Sequence, residues 1–262
     1  MLNRFLMRLV MAACLSQLGA KSVQSSDRDQ LPGILGKDDR IILDNHDYPW
    51  SAVGRLNRGG RGFCTGSLVE HDIVLTAAHC LYDGRTGRRL RPHELIFLAG
   101  YRRGEYLAVG RVQNIIEPPE FSAPARTRDQ HMAHDWALLL LTRRLPLRPL
   151  PVRALQSPET QDAKQSTQFG ITAGYSQDRA HLLSVQTSCK LTSIANRGKI
   201  IVHTCDATHG ASGSPLMIET SAGYAVVGIV VGAVDTSQTE KGLAVAASAF
   251  TQSLVELRDR QR

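Results

Sequence analysis

Beyond residue 20, the sequence has no apolar run approaching the roughly 20 residues that a helix needs to cross a bilayer, so we expect no stable membrane association. It also lacks a Cys-x-x-Cys pair, the spacing that most favours a zinc site. Low-complexity tracts and strong internal repeats are absent, which argues against a repeat array. The chain has 262 residues, 42% of them hydrophobic, enough for one large domain or two subdomains with a shared interface.

The charge balance is basic, but its distribution does not favour nucleic-acid binding. The formal net charge is +7, and loss of residues 1–20, which contain two arginines and no acid, would lower it to about +5. The other arginines are scattered through predicted loops, without aromatic interleaving or a basic helix. We therefore predict no nucleic-acid partner. These arginines are Arg55, Arg58, Arg61, Arg85, Arg88, Arg89, Arg91, Arg102 and Arg103.

The first 20 residues are typical of a secretory signal. Arg4 and Arg8 precede or interrupt an apolar run at residues 9–15, and the small pair Gly19 and Ala20 follows. A bacterial lipoprotein signal, which would lipidate Cys14, is the alternative. The polar residues 21–40 are predicted to be a flexible leader or propeptide. We expect an exported protein, either secreted or periplasmic.

With Cys14 assigned to the signal, the four remaining cysteines suggest two disulfides, although four cysteines allow three pairings. Proximity in sequence favours Cys64 with Cys80 and Cys189 with Cys205. In the loop-entropy model each such bridge would stabilise the fold by about 3 kcal/mol. A zinc site is the competing interpretation, and the spacing does not support it.

Short apolar runs separated by glycine-rich or charged turns predict an all-β sandwich or barrel. The runs fall into two halves of similar size, and the proline-rich residues 146–165 form the best candidate linker between them. At the end of the chain, Phe250, Leu254 and Leu257 are spaced i, i+4 and i+7, which predicts a closing helix with one apolar face.

Residues 205–215 are composed mainly of small residues around one hydroxyl, that of Ser212. Gly210 and Gly213 leave room for a substrate to approach and permit backbone angles closed to other residues. Such a turn can also aim the amides of Gly210 and Ser212 at a single point, as an anion-binding site requires. The motif alone is weak, because glycine- and serine-rich turns are usually only turns.

Two further residues supply the partners that a nucleophilic serine needs. His79 follows an apolar strand, and Asp135 directly precedes another, where it is expected to be partly buried. A buried carboxylate needs a partner, and an imidazole can donate from Nδ1 to Asp135 while Nε2 accepts the proton of Ser212.

These residues, in the order His79, Asp135 and Ser212, resemble the chymotrypsin-like serine peptidases. The stretches Thr-Ala-Ala-His-Cys, Asp-Trp-Ala-Leu-Leu and Gly-x-Ser-Gly-Ser-Pro carry the resemblance, which covers roughly residues 41–258. The Ser-Gly-Ser-Pro ending, the Cys-Asp-x-x-x-Gly-x-Ser spacing and the Asp-Asp-Arg sequence before Ile41 look most like the bacterial glutamyl-endopeptidase-like branch.

The resemblance implies two six-stranded antiparallel β-barrels with a C-terminal helix. The first barrel would span about residues 41–145, the second about 166–248, and the helix about 249–260. It further implies a serine endopeptidase that needs no cofactor or metal, acts on protein or peptide substrates and is a monomer. Ser212 would be the nucleophile, His79 the general base and Asp135 its orienting acid, with the Gly210 and Ser212 amides as the oxyanion hole.

The sequence departs from the trypsin branch at the activation site. In the trypsin branch, an aspartate directly precedes the nucleophilic serine and binds the N-terminal amine that zymogen cleavage creates. This chain has Ala211 at that position. Arg40 and Ile41 resemble a cleavage site, but we do not expect an Ile41 amine to activate Ser212 by that route.

Substrate preference stays open at this level. Asp206 lies at the offset where trypsin-like enzymes place the carboxylate that binds Arg or Lys, but it could instead bond nearby backbone. Val230 lies near the position of the histidine with which glutamyl endopeptidases bind Glu, so strict Glu specificity is disfavoured. The other candidate substrate-binding residues are Thr208, Gly232 and Gly242.

Two interpretations of lower weight complete the prediction. His131 and His134 are spaced i, i+3, but without a third convincing ligand we interpret them as solvent-facing loop histidines. The competing function is a catalytically weak or inactive protein that keeps the fold and binds peptides or protein partners in its cleft.

Overall fold

The computed structural model describes residues 31–35, 37–123, 129–155, 168–236 and 239–260. The predicted signal, the Cys14 alternative and residues 21–30 of the predicted leader lie outside these ranges. Within them, no helix is both long and apolar enough to cross a membrane.

Strands account for most of the regular structure, and every pairing between them is antiparallel. The strands of the first half are β2 (Val53–Arg58), β3 (Phe63–Glu70), β4 (Ile73–Thr76), β5 (Leu95–Ala99), β6 (Ala108–Ile116) and β7 (Ala137–Leu141), preceded by β1 (Ile41–Leu43). Those of the second half are β8 (Gln168–Gly174), β9 (Leu183–Ala195), β10 (Ile200–His203), β11 (Pro215–Thr220), β12 (Gly223–Thr236) and β13 (Thr239–Ala246).

The two halves form two closed six-stranded barrels, which confirms the predicted fold. The first closes in the order β2-β3-β4-β7-β6-β5. In the second, the order β9-β10-β13-β12-β11-β8 closes through pairing of β8 with β9. The first barrel is filled by large side chains such as Phe97, which is fully buried. Gly54 makes this possible, because a β-carbon there would lie 2.3 Å from the Phe97 ring.

In the described ranges, two short α-helices accompany the strands. The helix α1 (Asp129–Met132) precedes Asp135, and the closing helix α2 (Thr251–Arg260) follows β13. Phe250 and Leu254 are buried, and the ring of Phe250 lies 6.0 Å from that of Trp136. Since Trp136 is the neighbour of Asp135, Phe250, which directly precedes the closing helix, packs beside that part of the first barrel.

The N-terminal segment differs from the prediction. Residues 31–35 and 37–40 pack on the second half, with Ile34 only 3% exposed, although their polar composition predicted a flexible leader. Likewise β1, assigned by sequence to the first barrel, pairs with β9 of the second. Charged side chains here are held by distant partners, which local composition does not reveal.

The predicted linker is described only up to residue 155. This part is packed rather than loose, since Leu150 is buried and its amide donates to the Leu68 carbonyl at 2.8 Å. Val152 makes an isolated parallel bridge with Val226, so the connection adheres to both halves.

Candidate active site

His79 and Asp135 are brought together by the pairing of β4 with β7. Thr76 lies opposite Ala137 in that pair, so the chain leaving β4 and the chain entering β7 meet at one end of the barrel. The Asp135 Oδ2 atom lies 2.7 Å from His79 Nδ1, and Oδ1 accepts the His79 backbone amide at 2.8 Å. Asp135 is 1% exposed, and these two bonds compensate its burial.

The loop that carries Ser212 is seated on the same end of the first barrel. The Ser212 carbonyl accepts the Thr65 amide at 2.9 Å. Gly213 has φ +83°, and a β-carbon there would lie 2.2 Å from the Thr65 carbonyl oxygen and 2.4 Å from Thr76 Oγ1. The loop therefore reaches the residues just before His79, and only glycine permits so close an approach. Ser212 itself remains partly exposed.

The loop also leaves two amides available for an anion. Gly210 has φ +96°, and the neighbouring Ala211 amide is used internally, donating to the Thr208 carbonyl at 3.0 Å. Among the described residues, the amides of Gly210 and Ser212 donate to no backbone carbonyl. Unpaired amides at a tight turn are the groups from which an oxyanion site is built.

Asp206 lies at the start of this loop and is 3% exposed. Its Oδ1 accepts the Leu35 amide at 2.6 Å, and its own amide donates to Gln186 Oε1 at 2.6 Å. Burial, with the nearby negative charge of Asp39, raises the pKa of Asp206 to about 6, against the hydrogen bond from Leu35. Of the two roles left open by the sequence, these contacts match the backbone-bonding one. Thr208 is also buried.

The other predicted substrate-binding residues have different surroundings. Val230 is buried, and its backbone fixes the loop by bonding to Gly213 and Ser214. Gly232 faces open space, since a β-carbon there meets nothing within 4 Å. Gly242 instead faces the imidazole of His203, 2.1 Å from the position of a β-carbon. Only Gly232 of these three thus presents free space.

His203 was not predicted as a site residue, because a lone histidine in an apolar strand does not indicate any particular role. It is fully buried, and its Nδ1 accepts the Cys205 amide at 3.0 Å, while Nε2 has no partner within the described part of the chain. Burial lowers the pKa of His203 to about 4, so the ring is neutral at neutral pH.

A family model described as Trypsin matches residues 43–254. The chain belongs to the trypsin family. It is 28% identical to Serine protease 23 of Homo sapiens over 212 residues, which cover 71% of this chain and 50% of that protein. It is 29% identical to a trypsin of Phaedon cochleariae over 236 residues, 80% of this chain and 82% of that protein. The chain thus spans about half the length of Serine protease 23.

A solved structure of a Glu endopeptidase in complex with MPD shares the fold. It is 17% identical to this chain, with a TM-score of 0.68, and the match covers 86% of this chain and 99% of the other. This trypsin-family chain and the Glu endopeptidase therefore share the double-barrel fold.

Both predicted disulfides are present, Cys64–Cys80 and Cys189–Cys205. The first bears on metal binding, since potential ligand atoms of Cys64, His79 and Cys80 lie within 4.8 Å of one another. Metals bind thiolates, and both sulfurs here belong to one bridge. Because the two sulfurs are bonded to each other, Cys64, His79 and Cys80 do not offer the thiolate ligands that a metal site needs.

His131 and His134 both approach Glu120, the first at its carbonyl (3.4 Å) and the second at its carboxylate (3.9 Å).

Thr65 is a second residue that the sequence reasoning missed. It is fully buried, its Oγ1 accepts the Tyr175 amide at 2.9 Å, and it lies 3.1 Å from the Gly210 carbonyl, to which it can donate. This hydroxyl therefore joins the two halves of the trypsin-family fold beside the Ser212 loop. A threonine inside an apolar strand gives no such indication in sequence.

Proposed function

We propose that this trypsin-family chain is an active, exported serine endopeptidase. The observation that carries the proposal is the bond between His79 Nδ1 and Asp135 Oδ2, at the end of the barrel on which the Ser212 loop is seated. Its two disulfides support export, because such bridges persist in oxidising compartments.

In the proposed reaction, Ser212 Oγ attacks the scissile carbonyl while His79 Nε2 takes its proton. Asp135 fixes the tautomer by accepting from Nδ1 and stabilises the imidazolium that forms. The oxyanion is held by the amides of Gly210 and Ser212, and each such donor can contribute about 3 kcal/mol to the transition state. The protonated His79 then gives its proton to the leaving amine, and water releases the acyl group by the reverse sequence.

Labelling with a fluorophosphonate probe tests the proposal. We expect the full chain to be labelled, and Ser212→Ala to be unlabelled and unable to cleave a peptide library. Ser221→Ala, which removes an exposed hydroxyl in the turn between β11 and β12, is the matched control and should react like wild type. Wild type that binds peptides without reacting would instead establish the inactive, peptide-binding protein.

A further inference from the structure

The segment before β1 is docked against the start of the Ser212 loop. The Gly33 carbonyl accepts the Ala207 amide at 2.8 Å, and the Leu35 amide donates to Asp206 Oδ1 at 2.6 Å. Gly33 has φ +82°, and a β-carbon there would lie 2.1 Å from the Ala207 carbonyl oxygen. The two backbones thus touch at the point where the loop begins, six residues before Ser212.

Arg40 anchors the other end of this segment. Its guanidinium is 4% exposed and lies 2.8 Å from both Asp38 and Asp178, with a further bond to Ser176 at 3.1 Å. Arg179 completes the cluster, bonding to Asp38 at 2.6 Å and to the Arg40 carbonyl at 2.8 Å. Two cations and two anions balance, and the hydrogen bonds from Arg40 lower the pKa of Asp38 despite its burial.

This arrangement is unsuited to cleavage between Arg40 and Ile41. A processing peptidase must extract the side chain it recognises, and that of Arg40 is buried in five charge-assisted hydrogen bonds. The next residues form β1, which is paired with β9. Proteolytic nicking favours exposed loop tips rather than paired strands. A new amine at Ile41 would also find no carboxylate at Ala211.

We propose that residues 33–35 and 37–40 stay attached to the active enzyme and hold the Ser212 loop in its reactive shape, with Asp206 as the positioning residue. The proposal rests on the proposed peptidase function. It assigns the Asp206 carboxylate to the Leu35 backbone rather than to a substrate Arg or Lys. The loop is then fixed from outside by a retained segment of the same chain.

The first experiment is the intact mass of the fluorophosphonate-labelled enzyme, purified after expression of the full chain. We expect the labelled species to begin before Gly33. A labelled enzyme that begins at Ile41 would overturn the inference and leave the peptidase function standing. Wild type that takes up no label would overturn both.

The second experiment measures kcat and KM of Asp206→Ala and Asp206→Asn. Loss of the acceptor for Leu35 should lower kcat by about 10- to 100-fold with little change in KM, because small displacements at a reacting group have effects of that size. Asparagine keeps an acceptor oxygen and should restore most of kcat. A raised KM confined to substrates with Arg or Lys at P1, in both variants, would place the carboxylate in the substrate pocket and overturn the inference.

Gly33→Ala perturbs the same contact from the side of the N-terminal segment, without changing any residue of the loop. It should lower kcat as Asp206→Ala does, because its β-carbon collides with the Ala207 carbonyl. Gly198→Ala is the matched control, since Gly198 has φ +83° but open space around it. If Gly33→Ala folds, as judged by circular dichroism, and keeps the kcat of the control, the segment does not position the loop.

Discussion

The imidazole of His203 stands where a β-carbon on Gly242 would lie. The two residues are paired across β10 and β13, and the Cε1 atom of His203 is 2.1 Å from that position. Glycine at residue 242 is therefore a packing requirement of the second barrel, set by the ring opposite.

Gly242→Ala should destabilise the protein by about 1–3 kcal/mol, because a close-packed interior resists an added methyl group. Urea denaturation would measure the loss. Gly232→Ala on the neighbouring strand, where the added carbon meets open space, is the control and should stay within about 0.5 kcal/mol of wild type. Equal losses in the two variants would contradict the packing role of His203.

Asp206 and His203 should give opposite pH dependences of stability. The pKa of Asp206 is raised to about 6, so the folded state holds a proton that the unfolded chain releases near pH 4, and stability falls as pH rises between these values. The pKa of His203 is lowered to about 4, so its contribution is present above about pH 6.5 and is lost as pH falls toward 4. Between about pH 4 and 6, the stability lost through Asp206 as pH rises is therefore largely offset by the stability gained through His203.

Asp206→Asn should remove the pH dependence that comes from Asp206 and leave the one that comes from His203. The free energy of unfolding should then rise with pH between about pH 4 and 6 more steeply than in wild type, with a gain of about 3 kcal/mol relative to wild type at pH 7. Denaturation at a series of pH values would measure it. Parallel profiles for variant and wild type would show that Asp206 has an ordinary pKa.

Local signals in the sequence predicted an all-β fold in two halves and the contact between His79 and Asp135, whereas the two six-stranded barrels were implied by the family resemblance. Each of those residues adjoins a strongly apolar strand, and pairing of the two strands places both at one barrel end. The surroundings of Asp206 could not be predicted in the same way, because its partner Leu35 is 171 residues away and lies in a segment whose composition is polar. The pairing of β1 with β9 of the second barrel also depends on long-range contacts. Ile41 and Ile42 are half exposed, so the sequence of β1 has no buried-strand pattern that would assign it to one barrel.

Thr65→Val should weaken both stability and catalysis. The substitution keeps the shape of the side chain but leaves the buried Tyr175 amide without its acceptor, at a cost of about 1–3 kcal/mol. It also removes the donor to the Gly210 carbonyl, so the rate of fluorophosphonate labelling should fall. Thr192→Val, which loses an exposed bond to the Val202 carbonyl, is the control. A Thr65→Val enzyme as stable as this control would contradict the assigned bonds.

Asp135→Asn should abolish most of the activity while leaving the fold intact. The two Asp135 contacts fix how an amide would sit, because the His79 backbone amide needs an acceptor and takes the side-chain oxygen. The NH2 group then faces His79 Nδ1, which must accept rather than donate. The ring proton moves to Nε2, and that nitrogen can no longer take the proton of Ser212. We expect kcat to fall by roughly 10⁴-fold at neutral pH, as in the serine-peptidase template, with KM little changed. Steady-state kinetics with a peptide substrate would measure this. Activity within tenfold of wild type would mean that Asp135 does not set the tautomer of His79.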